Sequence, residues 1–154
     1  MTGVQTCALP IFASSDHGGT KVCKIQLLQL LVFSSSYDVV CMCETWLNDS
    51  ILGSEILPGY TSYRLDRLNQ FGGGVLVAVK DNIRSICHAE LEPENTELIV
   101  IELIIPNSNS VYLSIFYRPP NSAPDDLLQL NSSLLSTRKS SCILLGDFNL
   151  PELV

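Results

Sequence analysis

Apolar positions along the chain recur with two different periods, and each period predicts one kind of element. The helical spacing of four apolar residues predicts an amphipathic helix over residues 23–34, the four being Ile25, Leu28, Leu31 and Val32. Residues 38–43 (DVVCMC) form an almost wholly apolar run rich in β-formers, which indicates a strand buried on both faces. A helix followed by a buried strand is half of an α/β unit.

The middle of the chain contains strand-like runs separated by short, turn-rich connections. The runs cover residues 61–65, 75–80, 84–90, 97–105 and 111–117. The connections between them include Gly72-Gly73-Gly74, Asp81-Asn82 and Pro106-Asn107-Ser108-Asn109. Short turns of this kind predict hairpins, and therefore an antiparallel or mixed sheet.

The last third of the chain repeats the order of helix and strand. After Pro119-Pro120, Ser122 has the character of an N-cap, and the helix is predicted to continue to residue 136 with four buried leucines, Leu127, Leu130, Leu134 and Leu135. Residues 142–145 predict another short buried strand. No strand is predicted before the first helix. The overall prediction is one α/β (α+β) domain.

The N-terminal segment is not expected to contribute to that domain. Residues 1–11 (MTGVQTCALPI) lack the basic start of a signal peptide and resemble the translation of a widely used sequencing adapter. Residues 12–20 have the composition of a loop. We therefore predict that residues 1–20 are disordered and that the partial domain covers residues 21–154. Both ends of this domain are expected to be cut.

Composition and charge limit the classes of protein that fit. With 46% hydrophobic residues, 16% charged residues and a mean hydropathy of +0.26, the chain is not a disordered tail. The longest strongly apolar stretch, residues 98–105, contains Glu102 and is far shorter than the ~20 residues that cross a bilayer. A net charge of −7 argues against tight non-specific nucleic-acid binding, although it is compatible with a hydrolase that contacts few phosphates.

The six cysteines match neither a zinc site nor a compact disulfide scaffold; they are Cys7, Cys23, Cys41, Cys43, Cys87 and Cys142. Buried free thiols are the favoured interpretation, and Cys41 and Cys43 would share one face of a strand. Reduced cysteines are typical of the nucleus or cytoplasm. The two histidines carry no catalytic signal, because His17 lies in a predicted loop and His88 has no acid or cysteine partner beside it in the sequence.

Acidic residues follow two of the predicted buried strands. Glu44 comes directly after the first and Asp147 stands at the end of the last, with Asn149 two residues further on. In α/β folds, sites collect at the carboxyl ends of strands. Carboxylate and amide oxygens suit a hard ion such as Mg²⁺. At the end of another strand, Tyr117 and Arg118 offer a phenol and a cation for an oxyanion, although a sheet-edge tyrosine with a solvated arginine is the simpler interpretation.

Four segments, in order, resemble the endonuclease/exonuclease/phosphatase superfamily. They are residues 37–47 (YDVVCMCETWL), 72–80 (GGGVLVAVK), 117–120 (YRPP) and 145–149 (LGDFN). The ETWL, YRPP and GDFNLP forms are particularly similar to the apurinic-type endonuclease of non-LTR retrotransposons, which is joined to a reverse transcriptase. The resemblance covers residues 21–154.

The resemblance implies a partial four-layered α/β sandwich of two mixed sheets flanked by helices. It also implies that Glu44 ligates Mg²⁺, with Mn²⁺ as a substitute, and that Asp147 orients or deprotonates the attacking water. Asn149 would hydrogen-bond the scissile phosphate, with Tyr117 close to the same group and Arg118 as a further phosphate contact. The implied partners are DNA and a reverse transcriptase domain downstream.

The chain departs from the family pattern at three places. The family's first strand carries a catalytic Asn, and its last strands carry an Asp and a Ser-Asp-His segment; none of these is matched here. Because catalytic groups that act as a unit fail together, we expect the chain as given not to cleave DNA. A phosphatase of small phosphoesters or phosphoinositides, and a non-enzymatic remnant without stable function, are the alternatives.

Overall fold

The computed structural model describes residues 4–8, 20–67, 72–138 and 140–150, with side chains described from residue 24 onward. Along the chain its elements are β1 (Val4–Ala8), α1 (Thr20–Ser35), β2 (Val39–Cys43), α2 (Gly53–Ile56), β3 (Tyr60–Leu65), β4 (Val75–Lys80), β5 (Ser85–Cys87), a single 3₁₀ turn (Ala89–Leu91), β6 (Glu97–Leu103), β7 (Val111–Tyr117), α3 (Asp125–Thr137) and β8 (Ser141–Asp147).

The strands form two mixed sheets with the same pairing pattern. The first sheet has the order β1-β2-β4-β3 and the second has the order β5-β6-β7-β8. In each sheet one parallel pair, β1 with β2 or β7 with β8, continues into two antiparallel pairings. A helix follows the first strand of each parallel pair, α1 after β1 and α3 after β7, as parallel neighbours require a crossover.

The side-chain alternation of the strands creates four layers. On β2, Cys41 and Cys43 face the second sheet, in a buried cluster that includes Ile101 and Ile115. Met42 points the other way, into a cluster with Val32 of α1. On the far side, α3 packs Leu127, Leu130 and Leu134 against the second sheet, whereas Leu135, which was predicted to be buried, is 52% exposed. The predicted α/β sandwich of two mixed sheets between helices is therefore confirmed.

The strand predicted at residues 142–145 exists but is not buried. Only β7 pairs with β8 among the described strands, so β8 forms one edge of the second sheet. Ile143 is 39% exposed although its neighbours in sequence are apolar. The apolar run identified the strand, but burial depends on elements that cover it, and these lie elsewhere in the sequence.

A strand precedes the first helix, which the sequence did not indicate. β1 pairs in parallel with β2, from Val4 opposite Val39 to Ala8 opposite Cys43. The pairing satisfies backbone groups that the edge of β2 would otherwise present to solvent, and this favours an added strand of almost any composition. The expectation that no strand comes before α1 is therefore wrong. Residues 1–3 and 9–19, including His17, lie outside the described part of the chain.

Two further local predictions are wrong at the N-cap of α3 and at the end of β5. The N-cap position of α3 is Pro124, without a side-chain cap, because Ser122 lies too far before Asp125 for its hydroxyl to reach the first free amides. The strand predicted over residues 84–90 is limited to β5, since the chain turns into the 3₁₀ turn directly after His88. The short helix α2 lies between residues 43 and 61, where no element is predicted from the sequence.

The cysteine and histidine predictions hold only in part. Cys41 and Cys43 are buried free thiols, whereas Cys87 and Cys142 are exposed because β5 and β8 are the two edges of their sheet. Cys7 and Cys23 lie outside the described side chains. His88 does have acid partners: its Nδ1 lies 2.7 Å from Glu90 Oε1 and its Nε2 lies 3.1 Å from Glu102 Oε2. Glu102 faces His88 across the sheet, at a distance in sequence that local patterns do not reveal.

Within the described ranges, no helix is both long and apolar enough to cross a membrane.

Candidate active site

The carboxyl ends of β2, β7 and β8 meet at one edge of the sandwich. In the second sheet, Tyr117 is the register partner of Asp147 on one side and of Glu97 on the other. Across the gap between the sheets, the Tyr117 hydroxyl donates a hydrogen bond to Glu44 Oε1. The Cys43 thiol donates to the Phe116 carbonyl at 3.8 Å, which joins the same two strand ends. The fold thus brings Glu44, Tyr117 and Asp147 to one place.

Glu44 stands on a left-handed backbone. Its φ is +54°, and Trp46 two residues later has a φ of +53°. Non-glycine residues seldom adopt this conformation, and where they do the surrounding structure must hold them there. Here two hydrogen bonds do so: the Thr45 amide donates to the Gly74 carbonyl at 3.2 Å, and the Trp46 amide donates to the Gly73 carbonyl at 3.0 Å.

The triglycine segment therefore builds one wall of the site. A Cβ on Gly74 would lie 2.7 Å from Thr45 Oγ1, and one on Gly73 would lie 2.5 Å from Arg67 Cζ. Both glycines also have positive φ, so a side chain would be strained as well as crowded. From sequence, the segment is correctly identified as a turn, but its close approach to the Glu44 loop depends on tertiary contacts.

The loops after β7 and β8 are fastened to each other by Asn149 and Arg118. The Asn149 amide nitrogen Nδ2 donates to the Arg118 carbonyl at 2.7 Å, and its backbone N–H donates to Asp147 Oδ1 at 3.3 Å. The Arg118 backbone N–H donates to the Asp147 carbonyl at 2.9 Å. These bonds hold Asp147 and Asn149 at the same edge as Tyr117, with Asn149 at a φ of +39°.

The Arg118 side chain, implied by the family resemblance to contact phosphate, is hydrogen-bonded to backbone carbonyls instead. It is only 5% exposed. Its Nη1 donates to the Asn149 carbonyl at 2.8 Å and its Nη2 donates to the Ser122 carbonyl at 3.0 Å. Its Nε is buried without a hydrogen-bond partner among the described atoms. The buried guanidinium therefore connects the loop after β7 with the loop after β8.

The site concentrates negative charge. The pKa of the Cys43 thiol is raised from 9.0 to about 11, mainly by burial and further by the carboxylates of Asp147, Glu97 and Glu44, against a backbone hydrogen bond at Asp147 that lowers it. Burial is also the main cause that raises the pKa of Tyr117 above its usual range, followed by the hydrogen bond to Glu44. Tyr117 is therefore protonated at neutral pH and donates to Glu44.

A second group of residues at this edge was not recognised from the sequence. Arg67 forms an ion pair with Glu97, and its guanidinium carbon lies 5.8 Å from the centre of the Tyr117 ring. The other oxygen of Glu97 accepts a hydrogen bond from the Gly74 amide. Arg67, Glu97 and Tyr117 also line an open cavity of about 660 Å³. Arg67 and Glu97 lie 30 residues apart, so only the position of Glu97 at the start of a strand hinted at a role.

The donor groups fit a divalent cation held mainly by one carboxylate. In the part of the chain that the structure describes, no three His, Cys, Asp or Glu side chains converge as a complete metal cage. Mg²⁺ does not require such a cage, because it is usually held by one or two carboxylates and completed by water and substrate phosphate. Glu44, at a strand end beside two further acidic residues, fits that role.

Comparison with known proteins identifies the family. A sequence profile of the Endonuclease/Exonuclease/phosphatase family matches residues 12–152. The chain belongs to this family, whose nucleases generally use divalent metal ions. A search of curated protein sequences found no significant match.

Solved structures with the same fold include several nucleases. The endonuclease domain of TRAS1, a telomere-specific non-LTR retrotransposon, has a TM-score of 0.69 at 15% identity, and the alignment covers 97% of this chain and 61% of that one. A humanized D. rerio TDP2 has a TM-score of 0.61 at 12% identity, and the alignment covers 97% of this chain and 63% of that one. The AP endonuclease LMAP from Leishmania major has a TM-score of 0.61 at 19% identity, and the alignment covers 81% of this chain and 50% of that one. The chain thus spans less than two thirds of the length of each.

Proposed function

We propose that this chain is part of a divalent-metal-dependent endonuclease of a non-LTR retrotransposon, which nicks DNA by hydrolysing a phosphodiester bond. The observation that carries the proposal is the hydrogen bond between Tyr117 and Glu44, at the edge where β8 also brings Asp147 and Asn149. The shared fold with the TRAS1 endonuclease domain supports the retrotransposon assignment.

Each residue has a role that follows from its chemistry. Mg²⁺ held by Glu44 would neutralise the phosphodiester and stabilise charge on the departing oxygen. Asp147 would orient a water molecule and accept its proton. Asn149 has a second Nδ2 proton, beyond the one donated to Arg118, for a phosphate oxygen. Tyr117 keeps its proton and orients Glu44.

We further propose that the whole protein, and not this chain alone, performs the reaction. The finding that supports this is that the chain spans 61% of the length of the TRAS1 domain. The resemblance stated from the sequence also implies an Asn, an Asp and a Ser-Asp-His segment that this sequence does not match. Incubation of the 154-residue chain with supercoiled plasmid and Mg²⁺ is expected to leave the plasmid intact. Nicking that disappears in Glu44→Ala would show that the chain is active by itself. A reverse transcriptase domain is expected further along the same polyprotein.

The metal role of Glu44 is testable without activity, because Trp46 is the single tryptophan of the chain and lies two residues from Glu44. Mn²⁺, a paramagnetic quencher, is expected to reduce Trp46 fluorescence in a saturable way, and Mg²⁺ to reverse the quenching by competition. Glu44→Gln should remove the saturable phase, whereas Glu94→Gln, which removes one exposed carboxylate elsewhere, should retain it.

Two outcomes would contradict the metal assignment. Equal quenching in Glu44→Gln and in the unmodified chain would place the ion away from Glu44. Absence of both cooperative unfolding and stabilisation by Mg²⁺ would favour the third interpretation, a remnant without stable function.

A phosphatase of small phosphoesters is the second candidate function. The net charge of −7 favours it over a nuclease that grips a long polyanion, and ANGEL2, described as a 2′,3′-cyclic phosphatase, has the same fold with a TM-score of 0.59. A complete protein that releases phosphate from small esters without nicking plasmid would support the phosphatase. Nicking without phosphate release would support the endonuclease.

A further inference from the structure

Besides the metal ion proposed at Glu44, a substrate phosphate would be bound by a side-chain cation, and the Arg118 guanidinium is engaged elsewhere. Both terminal nitrogens of Arg118 donate to backbone carbonyls, and the side chain is buried. The cavity beside Tyr117 is lined by three carboxylates, Asp66, Glu97 and Asp126, as well as by Arg67 and neutral side chains. Of the described residues around this cavity, Arg67 alone carries positive charge.

Arg67 is held in an orientation that leaves part of its guanidinium outside the ion pair. Its Nε and Nη2 donate to Glu97 Oε1, so the two protons of Nη1 are not used by this pair. The Tyr117 ring lies beneath the guanidinium at 5.8 Å, a distance at which the cation and the ring attract each other. With one edge fixed by Glu97 and one face by Tyr117, little side-chain freedom remains to be lost on binding.

We propose that Arg67 binds the non-bridging oxygens of a substrate phosphodiester through Nη1, and that Glu97 is the positioning residue that holds it there. This assignment rests on the proposed function, because it places the phosphate beside Tyr117 and Glu44. It replaces Arg118 as the phosphate-binding arginine, and it explains how a chain with net negative charge presents one positive group at its site.

Glu97 has two opposing effects on this binding. Its ion pair with Arg67 and its bond from the Gly74 amide fix the guanidinium against the triglycine wall. Its own negative charge, however, weakens the attraction of the pair for an anion. Glu97→Gln removes the charge and keeps a single acceptor oxygen, which can serve the Gly74 amide while the Tyr117 ring still holds the face of the Arg67 guanidinium. Loss of Arg67 and loss of the Glu97 charge should therefore change phosphate binding in opposite directions.

The test measures binding of a fluorescent 20-base-pair DNA duplex by anisotropy, at low salt and with EDTA, so that it is independent of metal and of cleavage. Arg67→Gln should weaken binding about tenfold or more, because a hydrogen-bonded charge contact is lost. It should also reduce the slope of log affinity against log salt concentration by about one. Glu97→Gln should strengthen binding, and Arg67→Lys should retain part of it.

The matched control is Arg84→Gln, which removes an exposed arginine outside the cavity lining and should leave the salt slope unchanged. Equal weakening by Arg67→Gln and Glu97→Gln would overturn the proposal, because a purely structural ion pair predicts that result. The proposal would also be overturned if Arg67→Gln, shown by circular dichroism to be folded, bound DNA as well as Arg84→Gln does. Failure of the unmodified chain to bind DNA would overturn it too. None of these results bears on Glu44, which the Mn²⁺ titration tests separately.

Competition by inorganic phosphate distinguishes a DNA phosphodiester from a small phosphoester as the ligand of Arg67. Weak displacement of the duplex supports a DNA phosphodiester at Arg67. Displacement at low concentration in the unmodified chain, but not in Arg67→Gln, supports the same residue with a small phosphoester as its ligand.

Discussion

Strands β2 and β8 have related places in the two sheets but very different surroundings. Each follows a helix, is paired in parallel with a neighbour, and leads to an acidic residue, Glu44 after β2 and Asp147 at the end of β8. All five residues of β2 are buried, since β1 and β4 flank it and α1 and the second sheet cover it. β8 pairs only with β7 among the described strands and is largely exposed.

The difference shows that the two halves of the site are supported in different ways. Glu44 is held by a buried strand and by hydrogen bonds to the triglycine wall. Asp147 and Asn149 are held by hydrogen bonds to Arg118, on a strand with one free edge. Changes in β2 should therefore affect the whole fold, whereas changes in β8 should matter mainly where they touch its junction with β7. The four predictions below test this.

The largest effect is expected at Gly146, where β8 touches β7 most closely. Its φ is +149°, and a Cβ would lie 1.8 Å from the Phe116 carbonyl oxygen. Gly146→Ala should lower the free energy of unfolding by about 4 kcal/mol, as the sum of overpacking and backbone strain, or displace β8 altogether. Urea unfolding, monitored by circular dichroism, measures this loss of free energy of unfolding.

Gly59→Ala is the control, because Gly59 also has positive φ but its Cβ would meet nothing within 4 Å. It should cost only about 1 kcal/mol. Similar costs at both positions would mean that β8 does not approach β7 as described.

The next largest effect concerns packing in the two strands. Met42 on β2 is 2% exposed, and Met42→Ala should destabilise the chain by about 3 kcal/mol through lost contacts and a cavity. Ile143 on β8 is 39% exposed, and Ile143→Ala should cost less than about 1 kcal/mol. Thermal or urea unfolding of the two variants side by side checks the ratio, and equal costs would contradict the assignment of β8 to an exposed edge.

Thiol reactivity compares the same strands without mutation. Cys142 on β8 is exposed, whereas Cys41 and Cys43 on β2 are buried and react only after local or global opening. Alkylation of the native chain, followed by peptide mass spectrometry, should modify Cys142 at least about a hundred times faster than the two β2 thiols. Comparable rates would show that the first sheet opens readily.

The smallest effect is the alkaline pH dependence of stability. Burial, followed by the neighbouring Cys43, raises the pKa of the Cys41 thiol from 9.0 to about 12. Between these values the unfolded chain loses the Cys41 proton while the folded chain keeps it. The stabilisation is therefore complete below pH 9 and decreases as pH rises, by about 1.4 kcal/mol per pH unit for each such thiol.

Cys41→Ala should reduce this slope by about one proton. Urea unfolding at several pH values from 8 to 11 gives the slopes directly. A Cys41→Ala slope parallel to that of the unmodified chain would contradict the burial of this thiol.

The nature of most elements could be read from local patterns. The spacing of apolar residues indicated α1 and α3, and the short apolar runs indicated β2, β4, β6 and β7. Glu44, Asp147 and Asn149 were predicted as site residues because they follow strand ends, and the structure brings the three to one edge. Tyr117, found in the same way, is joined to Glu44 by a hydrogen bond that spans 73 residues.

Other features were beyond the reach of local patterns, because they depend on which distant segments meet. The choice between Arg118 and Arg67 is an example: nothing in the sequence shows that the first guanidinium is enclosed by backbone carbonyls while the second lines a cavity. The same holds for His88, whose partner Glu102 comes from the adjacent strand.

The sequence by itself determined the types of element, the layered α/β class and the strand-end position of the acidic residues, because periodicity and turn residues act over a few neighbouring positions. Only the tertiary structure decided that β2 is enclosed while β8 is an edge, and that the triglycine turn supports Glu44. Burial, charge pairing and the strain at Glu44 depend on contacts between segments far apart in the chain, and such contacts leave no local pattern.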